Sequence, residues 1–303
     1  MKILVTGSNG LLGQKLTPLL LEKNVELIAT GKGIDRTSTN NRNYKYLELD
    51  ITDSNQVNHV ISKHKPHIVV NTAAMTNVDQ CESEKEGCRK LNVDAVEYLV
   101  QACEKNDCHL IHLSTDFIFD GENGPYLEND QPNPISFYGQ SKLDAEQIII
   151  NSSLHWTILR TVLVYGIVPS MSRSNIILWV KNSLENKKNI NVVTDQWRTP
   201  TLAEDLAMGC YLAAEKKTKG IFNISGKDML TPYDMSIKTA EYFNLDKSFI
   251  TKADSSTFSQ PAQRPPKTGF IIDKAIKELG YAPHSFDEGI SIFDKQVKEA
   301  GNS

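Results

Sequence analysis

The sequence TGSNGLLG, residues 6–13, lies between a short apolar run and a stretch with apolar residues at helical spacing. Gly7, Gly10 and Gly13 give the pattern GxxGxxG. In a strand–loop–helix unit the first glycine permits a tight turn, the second lets the backbone approach a pyrophosphate, and the third lets helix pack on strand. The N-terminus of the helix offers unpaired N–H groups to phosphates. The segment therefore predicts a dinucleotide site, with a glycine-rich turn that binds no ligand as the alternative.

The first half of the chain alternates short apolar runs with longer amphipathic stretches. The runs predict strands at 2–6, 26–30, 67–71, 109–114 and 156–165, and the stretches predict helices at 11–22, 54–63, 87–105 and 140–150. Strands and helices that alternate in this way form a parallel sheet through right-handed crossovers, with helices on both faces. The expected fold class is α/β, a Rossmann-type doubly wound parallel sheet.

The pattern changes after Tyr165, where Gly166, Pro169 and a serine-rich stretch at 170–174 interrupt it. We expect an NAD(P)-binding Rossmann domain over 1–165 and a smaller C-terminal substrate-binding lobe over 166–303. Segments near 202–222 are expected to pack back on the Rossmann domain. Ligands of such sheets bind at the carboxyl ends of the strands, so the cleft between the two parts is the expected site.

Composition excludes several classes of function. The 303 residues carry a net charge of −4 without a basic patch, which argues against nucleic acid as a partner. No apolar run is long enough to span a membrane, and the N-terminus does not resemble a signal peptide. The five cysteines are odd in number and lack a CxxC pattern, so reduced thiols and a cytoplasmic location are expected. No metal site is predicted, because the histidines of HVISKHKPH (59–67) suit a surface better than a ligand set.

The end of the second predicted strand bears on the choice of dinucleotide. The segment IATGKGIDR, residues 28–36, has no carboxylate at the position that would hold the ribose 2′-hydroxyl of NAD. Lys32 and Arg36 place two cations there instead, and these would suit a 2′-phosphate. The expected cofactor is NADPH, with NADH as the alternative.

A second group of residues suggests ketone chemistry. Ser114 and Thr115 end the predicted strand 109–114, and YGQSK follows at 138–142. Tyr138 and Lys142, four residues apart on a helix, share one face. Reduction of a ketone needs a hydride at carbon and a proton at oxygen. Tyr138 could give the proton, a neighbouring ammonium at Lys142 would lower its pKa, and Thr115 could hold the carbonyl oxygen.

These stretches together resemble the extended short-chain dehydrogenase/reductases, and within them the dTDP-4-dehydrorhamnose reductase family. The matching segments include TGSNGLLG (6–13), LDITD (49–53), HIVVNTAAMTNVDQCE (67–82), STDFIFDG (114–121), YGQSKLDAE (138–146), DQWRTPTLAEDLA (195–207) and RPPKTGFI (264–271). The resemblance implies NADPH-dependent reduction of the 4-keto group of a nucleotide-linked 6-deoxy sugar, from dTDP-4-dehydrorhamnose to dTDP-L-rhamnose.

The resemblance also implies roles for individual residues. Thr115, Tyr138 and Lys142 would be catalytic, and Lys142 would also hold the nicotinamide ribose. The implied cofactor contacts are Gly7, Asn9, Gly10, Leu11, Leu12, Gly13, Lys32, Arg36, Asp50, Ile51, Asn71, Ala73, Ala74, Lys142, Arg160 and Thr161. The implied substrate contacts are Thr76, Val78, Ser114, Asp116, Leu163, Arg198 and Arg264. A homodimer is an open alternative to a monomer.

Three departures from the family pattern fall in the C-terminal part. Leu163 stands where a tryptophan is common, Arg198 replaces a glycine, and the closing motif has Phe270 and Ile271 for leucine and aspartate. Arg198 and Arg264 suggest recognition of a nucleotide diphosphate more than of the sugar ring. Two other functions stay open. One is another NADP-dependent sugar or carbonyl reductase, and the other is a non-catalytic NADP-binding regulatory subunit like that of methionine adenosyltransferase.

Overall fold

A computed structural model describes residues 1–37, 39, 41, 43–168 and 175–301; the serine-rich stretch 170–174 lies outside the described residues. The strands of the described chain are Lys2–Thr6 (β1), Glu26–Gly31 (β2), Lys45–Glu48 (β3), Ile68–Asn71 (β4), His109–Thr115 (β5), Trp156–Thr161 (β6), Val164–Tyr165 (β7), Ile190–Val193 (β8), Thr201–Leu202 (β9), Gly220–Asn223 (β10) and Ile250–Ala253 (β11). The α-helices are Leu11–Glu22 (α1), Ser54–His64 (α2), Val78–Ser83 (α3), Lys85–Arg89 (α4), Ala95–Asn106 (α5), Phe137–Ile150 (α6), Ile176–Glu185 (α7), Ala203–Glu215 (α8), Pro232–Tyr242 (α9) and Phe286–Gly301 (α10).

The large sheet has seven parallel strands in the described chain, in the order β10-β6-β5-β4-β1-β2-β3. The order reverses between β1 and β4, which is the topological switch point where ligands of doubly wound sheets bind. The predicted α/β fold class is confirmed. Strand β3 was not predicted, because its four residues are only half-buried or exposed and therefore lack the apolar run of a central strand.

Two apolar clusters cover the two faces of this sheet. On one face α1 packs against α8, and Leu16, Leu20 and Leu206 are buried there. On the other face α2, α5 and α6 bury residues such as Val57 and Leu99. Each fully buried aliphatic side chain contributes roughly 1.5–3 kcal/mol. These two layers hold the strand ends, and the loops that follow them, in fixed positions.

The C-terminal part has its own apolar clusters. Two small parallel sheets, β8 with β11 and β7 with β9, lie with α7, α9 and α10 over buried Ile177, Met235 and Phe293. Two segments of this part return to the large sheet, since β10 pairs with β6 and α8 packs on α1. The chain therefore crosses between the two parts more than once.

One predicted strand is broken in the structure. The run 156–165 ends as β6 at Thr161, and β7 begins at Val164 and pairs with β9. Leu163 between them has φ of +36°, a backbone region that side chains other than glycine rarely adopt. Apolar content alone does not reveal such a break, because both pieces are apolar. The turn directs the chain from the large sheet into the C-terminal part.

Candidate active site

The glycine loop lies at the switch point of the sheet. Gly7 has φ of +67°, and a Cβ there would lie 2.8 Å from the backbone nitrogen of Ala73. A Cβ on Gly13 would lie 2.5 Å from the carbonyl oxygen of Gly7, so both positions require glycine. Gly10 is exposed, and Ser8 Oγ is buried without a hydrogen-bond partner among the described residues. An open glycine and an unpaired hydroxyl at a helix N-terminus fit a dinucleotide pyrophosphate.

Asn9 differs from the role expected for it. Its amide nitrogen donates to Lys32 O, Ile34 O and Tyr46 Oη at 2.9–3.2 Å, and its Oδ1 accepts from Arg36 N at 2.9 Å. The side chain is therefore engaged in holding the loop after β2 against the glycine loop. Tyr46, which the sequence analysis did not single out, completes this arrangement by donating to Gly33 O at 2.7 Å.

The two cations expected near a 2′-phosphate lie on that loop, and both are exposed. Lys32 Nζ pairs with Asp50 Oδ2 at 2.8 Å. Asp50 was expected to flank the adenine, and this ion pair places it beside Lys32 at the strand ends. Ile51 is 4% exposed within the core under α2, so its side chain does not face the cleft. That differs from its expected contact with the cofactor.

Thr115 and Tyr138 lie together at the carboxyl end of β5. Ser136 caps α6 by accepting from Gly139 N at 3.2 Å, so the helix begins before Tyr138 and includes it. The Tyr138 ring packs edge-on against Phe117 with ring centroids 5.7 Å apart. Thr161 is paired in register with Thr115 across β5 and β6. Ser114 Oγ beside them is buried and without a partner among the described residues.

The environment of Lys142 differs from the one expected for it. Its Nζ donates to Leu113 O at 2.6 Å and lies 3.0 Å from His112 Nε2, and the side chain is 3% exposed. Burial lowers the pKa of Lys142 to about 8. Burial also raises the pKa of Tyr138 above its usual 10, and a hydrogen bond with Thr115 only partly opposes this rise. The expected lowering of the Tyr138 pKa by Lys142 is therefore not found in this state.

Asn71, expected to line the cofactor, is 1% exposed and is hydrogen-bonded to His112, the residue that contacts Lys142. Its Oδ1 accepts from Thr6 Oγ1 at 2.6 Å, and its Nδ2 lies 3.0 Å from His112 Nδ1. The loop after β4 instead exposes Thr76 and half-buries Ala73 and Ala74.

Asp116 and Arg198 join the large sheet to the C-terminal part. Asp116 is 2% exposed, accepts from Thr268 Oγ1 and Thr115 Oγ1, and lies 3.8 Å from Arg198 Nε. Arg198 is buried, and its guanidinium donates to the carbonyl oxygens of Trp197, Pro265 and Pro266. Both side chains are thus committed to protein partners, which corrects the expectation that they face a sugar and a diphosphate.

Arg264 and Arg160 are also paired within the protein. Arg264 forms two hydrogen bonds with the Asp79 carboxylate. Arg160 Nη2 lies 2.7 Å from Glu146 Oε2, and both side chains are almost fully buried, at 3% and 0% exposure. Nη1 of Arg160 donates to Glu128 O, so the guanidinium is held by protein partners beneath the strand ends rather than contacting a nicotinamide.

Leu163 and Val78, both expected substrate contacts, lie in different surroundings. Leu163 is 45% exposed at its strained turn, a large apolar side chain open to solvent. Val78 begins α3 and packs with the buried cluster of Cys81, Cys88 and Tyr138. Leu11 and Leu12 begin α1 directly behind the glycine loop.

Asn92 is a residue that the sequence analysis missed. It lies in a π-helical turn, Lys90–Asp94, between α4 and α5. Its side chain accepts from Met75 N at 2.8 Å and donates to Met75 O at 3.0 Å and to Ser141 Oγ at 3.1 Å. It therefore ties the loop after β4 to α6, the helix of Tyr138 and Lys142. A polar residue within an apolar helical stretch was the available signal.

Two negative findings concern the described residues. No three histidine, cysteine, aspartate or glutamate side chains in that part of the chain are grouped so that they could hold a metal ion. Nor does any helix in it have the length and apolar composition needed to cross a membrane.

Two relatives by sequence are proteins of different kinds. Methionine adenosyltransferase 2 subunit beta from Pongo abelii is 34% identical over 269 residues, which cover 87% of this chain and 78% of that protein. A "Probable low-salt glycan biosynthesis reductase" from Haloferax volcanii is 29% identical over 294 residues, 96% of each chain. The chain is thus similar both to a subunit of another enzyme and to a reductase.

Solved structures add a third comparison. A dTDP-4-dehydrorhamnose reductase from Clostridium acetobutylicum superposes with a TM-score of 0.87 at 29% identity, covering 98% of this chain and all of that one. The dTDP-4-dehydrorhamnose reductase from Bacillus anthracis, solved in complex with NADP, gives 0.85 at 25% identity, covering 97% and 99%. The sequence profile of the RmlD substrate binding domain matches residues 1–298. The chain therefore belongs to the RmlD family, whose solved relatives are extended short-chain dehydrogenase/reductases.

Proposed function

We propose that this protein is an NADPH-dependent reductase of the 4-keto group of a nucleotide-linked 6-deoxy sugar, with dTDP-4-dehydrorhamnose as the first substrate to test. The observation that carries the proposal is the grouping of Thr115, Tyr138 and Lys142 at the carboxyl end of β5, beside the switch point of the sheet. Membership of the RmlD family and the likeness to dTDP-4-dehydrorhamnose reductases support it.

The side chains of this group have complementary tasks. The reduced nicotinamide, when bound, supplies a hydride to the carbonyl carbon. Tyr138 gives its hydroxyl proton to the carbonyl oxygen, which becomes the product hydroxyl. Its raised pKa keeps that proton in place at neutral pH. Thr115 donates to Asp116 in this structure, and with substrate bound its hydroxyl turns to donate a hydrogen bond that orients the carbonyl. Lys142, one helical turn along, supplies positive charge when protonated, which stabilises the phenolate left behind.

The cofactor is held by the glycine loop and the loop after β2. The glycine loop with the N-terminus of α1 takes the pyrophosphate. Lys32 and Arg36, which are both exposed, take the 2′-phosphate of NADPH. Residues 1–165 are then mainly the cofactor domain, and the later part supplies most of the sugar site. The five cysteines, none of which forms a disulfide in the described chain, support a reducing compartment such as the cytoplasm.

The test is NADPH oxidation by the purified protein against a panel of 4-keto sugars. Turnover of nucleotide-linked 4-keto sugars, with little use of free sugars, is the expected result. Equal use of linked and free sugars favours a general carbonyl reductase. No oxidation with any ketone, together with tight NADPH binding, favours the second candidate.

That second candidate is a non-catalytic NADP-binding regulatory subunit. Its support is the 34% identity to methionine adenosyltransferase 2 subunit beta over 87% of this chain. Co-purification with a methionine adenosyltransferase, and a change in that enzyme's kinetics on mixing, would establish it. The two candidates make opposite predictions for turnover by the isolated chain, so one assay separates them.

A further inference from the structure

A line of buried polar side chains runs from β1 to Lys142. Thr6 Oγ1 lies 2.6 Å from Asn71 Oδ1, Asn71 Nδ2 lies 3.0 Å from His112 Nδ1, and His112 Nε2 lies 3.0 Å from Lys142 Nζ. The four side chains cross β1, β4 and β5, and none is more than 3% exposed. Each hydrogen bond left unmade by a buried polar group costs free energy, so the position of each proton along this line has consequences.

One arrangement of protons gives every donor of the line an acceptor. The Thr6 hydroxyl donates to Asn71 Oδ1, and the Asn71 amide donates to His112 Nδ1. A neutral imidazole has one donor and one acceptor, so Nε2 then bears the proton and donates. The atom that receives it is Lys142 Nζ, which can accept only as a neutral amine. Lys142 meanwhile donates to Leu113 O at 2.6 Å, which both its amine and its ammonium form can do.

If Lys142 is an ammonium, the donor and acceptor of each hydrogen bond along the line change places. The ammonium must donate to His112 Nε2, which places the histidine proton on Nδ1. Asn71 then has to turn its carbonyl toward His112 and its amide nitrogen toward Thr6. The described residues offer the Thr6 hydroxyl proton no acceptor besides Asn71, so this arrangement leaves one buried donor unpaired. An imidazolium is no alternative, because burial holds the pKa of His112 well below its usual range.

Other charges face Lys142 from the elements packed against it. Glu146 lies one turn further on α6, and Cys81 and Cys88 face it from α3 and α4; all three favour the ammonium in their anionic forms. Glu146 is already paired with Arg160. Tyr138, on the same helix, keeps its proton. The proton positions along the hydrogen-bond line therefore depend on the charge of Lys142, because each member of the line contacts the next directly.

We propose that the charge of Lys142 and the tautomer of His112 are coupled. Thr6, Asn71 and His112 are positioning residues that stabilise the neutral amine of Lys142 relative to its ammonium in the unliganded protein. The coupling lets Lys142 change charge while its immediate partner stays hydrogen-bonded. The coupling stands without the proposed reaction. Only its catalytic use, in setting how readily Lys142 carries positive charge beside Tyr138, rests on the proposed function.

The first test is ¹⁵N NMR of the histidine rings in the wild-type protein without ligand. The His112 signals are assigned by their loss in His112→Phe. We expect the proton on Nδ1 at low pH and on Nε2 at high pH, with the midpoint at the titration of Lys142. A single tautomer throughout, or a histidine that becomes an imidazolium, would overturn the proposal. Turnover is not measured, so the proposed function does not affect the result.

The second test removes the far end of the line. Thr6→Val keeps the side-chain shape but removes the hydroxyl, and Thr6 does not touch Lys142. The variant removes the hydroxyl proton that the ammonium arrangement leaves unpaired, and relief of that cost should raise the Lys142 protonation constant about tenfold, seen in its side-chain NMR signals. Thr30→Val is the matched control, since Thr30 is equally buried on the neighbouring β2 and donates to Val5 O. An unchanged constant in Thr6→Val, or an equal change in both variants, would overturn the proposal. If Thr6→Val does not fold, the wild-type tautomer titration decides alone.

Discussion

Arg264 forms a two-point ion pair with Asp79, with Nη2 2.6 Å from Oδ2 and Nη1 3.1 Å from Oδ1. The same carboxylate accepts from Ala262 N at 3.2 Å, and Arg264 also donates to Ala262 O. The pair joins the loop at 260–266 to α3, residues more than 180 positions apart in the chain. Arg264 therefore acts first as a latch for this loop, and a diphosphate would have to compete with Asp79 for it.

The latch predicts matching effects of two substitutions. Arg264→Ala and Asp79→Asn should both free the loop, and chymotrypsin should cut faster after Phe258, which is 36% exposed. Since the pair is partly exposed, we expect about 1 kcal/mol or less from it, or a several-fold change in cutting rate. Arg264 lowers the pKa of Asp79, so this contribution is lost as pH falls through the Asp79 pKa. A faster cut in Arg264→Ala alone would show that Asp79 is not its partner.

The Lys32–Asp50 pair predicts how cofactor preference can be tuned. If Lys32 leaves Asp50 to bind a 2′-phosphate, Lys32→Ala should weaken NADPH binding about tenfold or more with NADH unchanged. Asp50→Asn should strengthen NADPH binding, because the lysine no longer has a competing carboxylate. Titration of both cofactors by fluorescence measures this. Equal losses for NADH and NADPH in Lys32→Ala would exclude a 2′-phosphate role.

Tyr138 is predicted to be the proton donor. Tyr138→Phe keeps the ring packed on Phe117 but removes the hydroxyl, so turnover should fall by about 10²–10⁴ with NADPH affinity nearly unchanged. Tyr165→Phe is a matched control, since Tyr165 is also buried but packs against Phe286 in the C-terminal part. Near-normal turnover by Tyr138→Phe would assign the proton to another group.

The buried lysine predicts a pH-dependent stability. The Lys142 pKa is about 8 in the folded chain against 10.5 for an unperturbed lysine, so folding penalises its ammonium. The unfolded chain binds more protons between these values, and stability therefore rises with pH across that window, by about 3 kcal/mol. Lys142→Met has no such group. Urea unfolding at pH near 7 and near 10 should show that the free energy of unfolding of the wild type rises relative to that of the variant as pH rises. A constant difference would contradict the lowered pKa.

The Arg160–Glu146 pair predicts the largest stability loss. Glu146→Ala leaves the Arg160 guanidinium buried with Glu128 O as its remaining acceptor, which should cost about 3–5 kcal/mol. The partly exposed pair Lys181–Glu185 on α7 provides the control, since Glu185→Ala should cost about 0–1 kcal/mol. Chemical denaturation of both variants measures the difference. Similar losses would mean that the buried pair is no more important than a surface one.

Local signals predicted most of the strands and helices of residues 1–165. Apolar runs and helical spacing predicted five strands of the large sheet, and the glycine pattern predicted a dinucleotide site after the first of them. The same signals failed at the broken strand, because the turn at Leu163 depends on where β9 lies. They also missed β3, an edge strand with little apolar content. Both errors occur where distant contacts, rather than local composition, decide the backbone.

The candidate site shows the same difference between what local sequence patterns predict and what distant contacts decide. The spacing of Tyr138 and Lys142 placed both on one helical face, and Thr115 at a strand end brought the third side chain beside them. The partners of the charged side chains could not be predicted in this way.

The sequence by itself determined the strand–glycine loop–helix unit, the alternation of strands and helices that predicts a parallel sheet, and the spacing of Tyr138 and Lys142, because each is a pattern of residues close together in the chain. Only the tertiary structure decided the state of the charges. Arg264 meets Asp79, Arg198 meets the carbonyls of Pro265 and Pro266, and Lys142 meets His112. The physical reason is that pKa and hydrogen-bond satisfaction are set by burial and by partners within a few ångströms, and folding brings those partners from 30 to 185 residues away.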